Sequence, residues 1–179
     1  GDWRLSDLQD DIVRHHADLE DQEQVVRCVR LARPQWVFHL ATYGAYAQQV
    51  DRDRIYRTNV LGVVNLATAA RLAGVEVMVN TGSSSEYGFK DHAPAETEIP
   101  EPNSDYAVSK ASATMFCQHT ARKEGWRIPT LRLYSVYGPY EEPSRFIPRL
   151  VTAGLKGRLP PLVDRNVARD FVFVGDVCE

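Results

Sequence analysis

Val75-Glu76-Val77-Met78-Val79 is a short, mostly apolar run that opens into the polar stretch Asn80-Thr81-Gly82-Ser83-Ser84-Ser85-Glu86-Tyr87-Gly88. A run of that length, entered through Gly74, is the pattern of a strand buried in a parallel sheet. Working upstream, Ile55, Leu61, Leu66 and Ala70 recur at helical spacing and close at Gly74, where a left-handed cap is easy. Before that helix lies a second apolar run, Trp36-Val37-Phe38-His39-Leu40-Ala41. Val25, Cys28, Val29 and Ala32 form an earlier helix stopped by Pro34, and Asp11 to Leu19 carries a weak strand signal. Working downstream, Pro94, Pro100 and Pro102 keep the chain irregular until Asn103 or Ser104 caps a long helix reaching about Gly125. Ile128 to Val136 reads as one more buried strand. A helix follows from Phe146 through Leu150 and Val151 to Gly154 or Gly157. Phe171 to Val174 is a last strand, and Asp176 to Glu179 stands where a helix would begin.

Strands alternating with helices predict an α/β fold, a doubly wound parallel sheet covered on both faces. Such a sheet binds ligands at the carboxyl ends of its strands. Chemistry is therefore expected in the polar segments after residues 41, 79 and 136.

Composition narrows the function. The 179 residues carry 21 Lys plus Arg against 24 Asp plus Glu, a formal charge of −3. General nucleic-acid binding needs clustered cations and is not expected. The first 24 residues hold a net −6, which reads as a solvated acidic edge. No apolar run approaches the ~18 residues of a membrane span, and the start has no secretory pattern. Three well-separated cysteines, Cys28, Cys117 and Cys178, fit a reduced, cytoplasmic setting. The five histidines make no metal spacing, and His39, on a buried strand, reads as a core residue.

The strongest chemical signal is Tyr106-Ala107-Val108-Ser109-Lys110 at the start of the long helix. Four residues advance ~400°, so phenol and ammonium share a face one turn apart. A nearby ammonium favours phenolate and makes the tyrosine a better base. Gly82 to Gly88 adds three hydroxyls directly after a strand. It is not a serine-hydrolase elbow, because Glu86 takes the place of the second glycine and prolines follow instead of a helix.

These residues resemble the extended short-chain dehydrogenase/reductases, in particular nucleotide-sugar epimerases and dehydratases. The resemblance covers nearly the whole chain in matching order. Ala17-Asp18-Leu19-Glu20-Asp21 is similar to the family's adenine-contacting loop. His39-Leu40-Ala41 is similar to the strand end passing the cofactor, and Thr58-Asn59-Val60-Leu61-Gly62 to the Asn-bearing helix. Ser83 to Gly88 and Tyr106 to Lys110 resemble the catalytic loop and helix. Leu131-Arg132-Leu133-Tyr134-Ser135-Val136-Tyr137-Gly138-Pro139 and Arg169-Asp170-Phe171-Val172 resemble the substrate side.

The resemblance implies roles. Tyr106 would be the acid/base on the sugar 4-hydroxyl while hydride leaves C4. Lys110 would bind the nicotinamide ribose, and Ser84, with Ser85 as the fallback, would hydrogen-bond the reacting oxygen. Asp18, Leu19, Leu40, Ala41, Thr42, Asn59, Tyr134 and Val136 would line the cofactor, with Tyr106 and Lys110. Ser135, Arg145 and Arg169 would hold the substrate, the arginines on its diphosphate. No metal is implied. The implied fold is a Rossmann-like doubly wound sheet, incomplete here because the family's glycine-rich loop is missing from the sequence; the cofactor selector is missing too, so the cofactor is NAD or NADP. Ser135 stands where the family commonly has Asn.

The implied domains are a dinucleotide-binding part over 1–137, part of a substrate region over 138–170, and a strand with the start of a helix over 171–179. The lack of an initiator Met and the ending at residue 179 read as a segment of a longer chain. The implied partners are a nucleotide sugar and a second copy of the chain. A 4-epimerase is the leading activity. A 4,6-dehydratase, with Glu86 taking the C5 proton, and a 4-ketoreductase are alternatives, and a non-catalytic nucleotide sensor on the same fold is a reading from another class.

Overall fold

The computed structural model describes residues 2–162 and 167–179. By packing, they fall into two compact units, Val13–Leu133 and a second made of Gly1–Ile12 with Tyr134–Glu179.

The larger unit is built on three parallel strands, β1 (Trp36–His39), β2 (Val77–Ser83) and β3 (Thr130–Leu133), in the order β1-β2-β3. Register fixes rows across the sheet: Phe38 beside Val79, His39 beside Asn80, and Asn80 beside Thr130. Ahead of β1 runs α1 (Gln22–Ala32), capped where the Asp21 side chain accepts the Gln24 N–H at 3.0 Å. Between β1 and β2 lie α2 (Arg52–Tyr56), a π-helical turn (Arg57–Leu61) and α3 (Gly62–Leu72), joined end to end. Asp51 caps the first of these through the Arg54 N–H. After β2 comes a 3₁₀ turn (Ser84–Tyr87) and then α4 (Asp105–Glu124), capped by Ser104 and closed by Gly125 in the left-handed region.

Val63, Ala67 and Ala70 of α3 meet Met78 of β2 and Ala113 and Cys117 of α4 in the main core, with Val37 of β1 packed against it. Trp126 closes the end of this core, its Nε1–H donating to the Val75 carbonyl at 2.8 Å. Val25 and Val29 of α1 pack on Ala69 of α3. Val37 and Met78 thus point to the helices, while the alternate residues Trp36 and Phe38 are 56% and 61% exposed on the other face. The helical layer described lies on one face, where covering on both was expected. Right-handed crossovers between strands in the order β1-β2-β3 put both connecting helices on one side.

The second unit pairs β4 (Ser135–Tyr137) with β5 (Phe171–Phe173) in parallel and carries α5 (Phe146–Leu155) and α6 (Val174–Cys178). The expected strand over Ile128 to Val136 is therefore two strands in two sheets. The chain changes partner at Tyr134: Leu133 pairs with Ser83, whereas the Ser135 N–H donates to the Asp170 carbonyl at 3.0 Å. The polar stretch from Asn80 is also corrected, since it continues as strand to Ser83 because β3 pairs there on its second side. Asp11 to Leu19 forms no strand. The last helix begins at Val174, ahead of the Asp176 expected from the sequence.

Arg33, closing α1, holds a left-handed φ of 47°. A Cβ is strained there, and glycine is the residue that relieves it. Arg33→Gly is expected to raise stability by about 0.5–1 kcal/mol in urea unfolding, the relief outweighing the freer unfolded chain.

Candidate active site

The expected chemistry gathers at the carboxyl ends of β1 and β2 and the start of α4. Asn59, held in the π-helical turn, is 1% exposed and uses its whole amide. Its Oδ1 accepts the Thr42 hydroxyl at 3.2 Å and the Tyr43 N–H at 2.9 Å. Its Nδ2 donates to the Tyr43 carbonyl at 2.7 Å and to Ser109 Oγ at 2.9 Å. Asn59 thereby ties the loop after β1 to the helix turn between Tyr106 and Lys110. Ser109, whose spacing alone carries no functional signal, completes the tie by donating to the Tyr106 carbonyl at 2.7 Å. Gly44, at φ 96°, lets this loop come close: a Cβ there would lie 2.9 Å from Ile55 and 3.3 Å from the Tyr106 ring. Leu40, Ala41 and Thr42 are exposed at the mouth of this loop, and Tyr106 is half-buried behind it.

Lys110 is 4% exposed and makes no hydrogen bond to a described residue. Burial pulls its ammonium below the ordinary lysine range, opposed by the charge of Glu86. His39 is buried too, and desolvation, helped by the Lys110 charge, brings its imidazole down to about 4. It is neutral at physiological pH, in line with its reading as a core residue, and its Nε2 has no partner among the described residues. Cys117, fully buried on the same helix, is pushed up to about 12 by desolvation and is an inert thiol.

Ser83 caps the serine turn, its Oγ accepting the Ser85 N–H at 3.2 Å, and Ser84 and Ser85 are half-buried on it. Glu86, the C5 base of the dehydratase alternative, is enclosed in its own turn. It is 0% exposed, Oε1 accepts the Ser83 N–H at 2.8 Å, and Oε2 accepts Arg132 Nε at 3.0 Å. A carboxylate so enclosed has its lone pairs committed to its own turn and a guanidinium, because burying it unpaired would cost too much. Arg132 lies in the Leu131 to Pro139 motif, whose spacing alone implies no role for it. It also donates through Nη1 to the Tyr87 hydroxyl and the Glu96 carbonyl, both at 2.9 Å.

A groove of about 370 Å³ is lined by Ala17, Asp18, Leu19, Glu20, Asp51, Arg54, Arg57 and Thr58. It contains the two residues expected at the adenine. Asp18 shapes its own loop by accepting the Glu20 N–H at 2.9 Å, and the Leu19 carbonyl accepts Asn65 Nδ2 at 2.8 Å. Tyr134, Ser135, Val136, Arg145 and Arg169 belong to the second unit. There the Phe146 and Phe171 rings meet at 5.8 Å. No helix among the described residues is long and apolar enough to cross a membrane, and no cluster of His, Cys, Asp or Glu among them could hold a metal.

A family model for the NAD dependent epimerase/dehydratase family matches residues 3–179. The chain belongs to that family. It is 31% identical over 178 residues to a dTDP-glucose 4,6-dehydratase of Mycobacterium tuberculosis, covering 96% of this chain and 53% of the relative. It is 33% identical over 154 residues to a UDP-glucose 4-epimerase of Mycolicibacterium smegmatis, covering 82% and 49%. Its structure aligns with the UDP-glucose 4-epimerase of Thermotoga maritima, solved with UDP-glucose, at a TM-score of 0.85 and 29% identity over 97% of this chain and 59% of that one. A dTDP-glucose 4,6-dehydratase of Streptomyces venezuelae, solved with NAD, aligns at 0.77 and 30% identity over 91% and 51%. This epimerase/dehydratase-family chain thus spans about half the length of the curated relatives it matches.

Two outcomes are expected from this geometry. Asn59→Ala strands Ser109, Thr42 and the Tyr43 backbone and should cost about 2–4 kcal/mol in chemical denaturation. The second concerns the loop beyond the serine turn, where His92 bonds Asp91 at 2.9 Å and Glu98 at 3.0 Å. Those carboxylates raise the imidazole above its ordinary 6.5, Asp91 first. This contribution is therefore complete below 6.5 and is lost as pH rises through the raised value. Asp91, held low chiefly by His92, and Glu98, held low chiefly by the Ala95 N–H, set the acid side, where the contribution fades as they protonate. Hydrogen-exchange protection of the Ala95 amide should fall above that alkaline limit, and His92→Gln should abolish the pH dependence.

Proposed function

We propose that this family member is an NAD-dependent nucleotide-sugar 4-epimerase. The observation that carries the choice within the family is Glu86. Its carboxylate is enclosed and paired, so the turn offers hydroxyls, and no available acid, to the reacting sugar. That suits a reaction in which every proton moves at the 4-oxygen, and it suits a C5 abstraction poorly.

The residues fit the cofactor. Asp18 and Leu19 in their groove offer an acceptor for the adenine amino group and an apolar face for its ring. Lys110 offers a buried ammonium not engaged by a described residue, suited to the nicotinamide ribose. Leu40, Ala41, Thr42 and Asn59 shape the passage between, and Tyr134 and Val136 are proposed to complete it. NAD, held by these residues, would supply the two-electron redox chemistry at C4.

Tyr106 takes the proton of the 4-hydroxyl and later returns it, its phenolate favoured by the ammonium one turn along α4. Ser84, with Ser85 beside it, hydrogen-bonds the 4-oxygen as it becomes a carbonyl. Ser135 is proposed on the sugar, and Arg145 and Arg169 on the diphosphate, where guanidinium geometry matches two oxygens at once. Within the site the ketosugar turns its opposite face to the cofactor position, so that reduction of C4 there, with Tyr106 returning the proton to the 4-oxygen, inverts C4. The reading carries a cytoplasmic location and a homodimer through the helices over 52–72 and 105–124, on which Leu61, Leu72 and Met115 are exposed. A 4,6-dehydratase is the second reading, favoured by the Mycobacterium tuberculosis relative.

Full-length protein incubated with NAD and UDP-glucose or dTDP-glucose should yield a product of unchanged mass and altered chromatographic retention. Loss of one water would identify a dehydratase instead, and no product with any nucleotide sugar would favour a sensor. Tyr106→Phe should fold and lose ~10²–10⁴-fold in rate. Retention of more than about a tenth of the rate would point to another base.

A further inference from the structure

We propose that Arg132 is a positioning residue for the serine turn: it clamps Glu86, and Glu86 fixes residues 83–85 at the carboxyl end of β2. The proposal rests on the reading of that turn as part of the sugar site. Its basis is a chain of short contacts across three separate stretches of sequence. Glu86 and Ser83 form a capping box, the carboxylate taking the Ser83 N–H while Ser83 Oγ takes the Ser85 N–H. Two of the turn's backbone donors are thus pinned beside Ser84. The pin holds only while the carboxylate stays oriented, and Arg132 holds it from β3. The same guanidinium reaches Tyr87, the last residue of the turn, and the carbonyl of Glu96, and its carbon lies 4.9 Å from the centre of the Tyr87 ring. Its planar fork serves these partners together, which an ammonium on a flexible stem cannot do.

Gly82 completes the clamp. A Cβ there would lie 2.6 Å from Glu86 Oε1 and 2.8 Å from Thr130, so the carboxylate occupies the space a side chain would take. The clamp also reaches the acid/base pair. Glu86 from the turn, His39 from β1, and Cys117 and Tyr106 on α4 itself are the titratable groups around Lys110, with Arg132 behind Glu86. The Glu86 charge supports the Lys110 ammonium against its desolvation. Removing that charge lowers the lysine further, so the alkaline limb of activity moves to lower pH.

The test compares Glu86→Gln, Arg132→Met, Arg132→Lys and both double variants (Glu86→Gln with either Arg132 change) in the full-length protein. The probe is UDP-glucose with NAD in deuterated water. Circular dichroism confirms folding, and amide exchange at Ser83 and Ser85 reads the turn without turnover. Each folded single variant should lose ~10- to 100-fold in kcat with KM nearly unchanged, because the hydroxyls are misplaced while binding remains. The doubles should be no worse than their worse single, and Glu86→Gln should shift the alkaline limb downward. Exchange at Ser83 and Ser85 should quicken in every variant, least in Arg132→Lys. Multiplying losses in a double variant, or wild-type kcat and exchange in a folded single, would overturn the clamp. If Arg132→Met does not fold, Arg132→Lys and its double with Glu86→Gln decide. Water loss or deuterium at C5 in the wild type would overturn the epimerase reading alone, since exchange at the turn is scored separately.

Discussion

Strand β2 is paired along both edges, and the candidate site follows from that. A strand in mid-sheet must give its backbone N–H and carbonyl groups partners, and β1 pairs in parallel with Val77–Asn80 and β3 with Asn80–Ser83. Parallel pairing aligns the carboxyl ends of the strands, so the loop after β1, the serine turn after β2 and the far end of β3 emerge on one side. The crossover from β2 to β3 then lays α4 across β2 and delivers Tyr106 and Lys110 there. Side-chain polarity follows the same rows: Asn80 donates to Thr130, its register partner, at 3.2 Å.

Where these elements meet, charge is handled by enclosure. Three ionisable side chains, His39, Glu86 and Lys110, are almost wholly buried within one patch. A low-dielectric interior disfavours charge and strengthens any pairing that survives, so each group takes a different course. The histidine is neutral. The glutamate is paired with an arginine and a backbone N–H. The lysine keeps an ammonium weakened by desolvation and supported by that glutamate. Neutral polar groups obey the same rule, and Asn59 makes four hydrogen bonds with one amide. The loop after β1, the serine turn and the start of α4 are thereby joined through buried contacts rather than through flexible surface side chains.

The helices were legible because their signals are local. Asp21, Asp51 and Ser104 each cap a helix through a side chain within three residues, and Gly125 ends α4 in a conformation that glycine adopts freely. Tyr106 and Lys110 were legible for the same reason, being one turn apart on one helix. The extent of strand at Ser83 and the change of partner at Tyr134 were not. Both depend on which distant strand pairs there, and Ser135 finds its partner in Asp170, far along the chain.

The sequence by itself determined the α/β order of elements, the helix caps, the Tyr106–Lys110 face and the family, since each is set by neighbours within a turn or two or by an ordered series of short motifs. Only the tertiary structure decided the part Glu86 plays. Standing directly after three serines, it could equally have faced a substrate. Its side chain turns inward because Gly82 leaves room beneath it and Arg132, forty-six residues away in sequence, arrives there on β3 with a charge to pair. Spacing along a chain carries no information about such a meeting, and in a medium of low dielectric the meeting fixes where the carboxylate can reside.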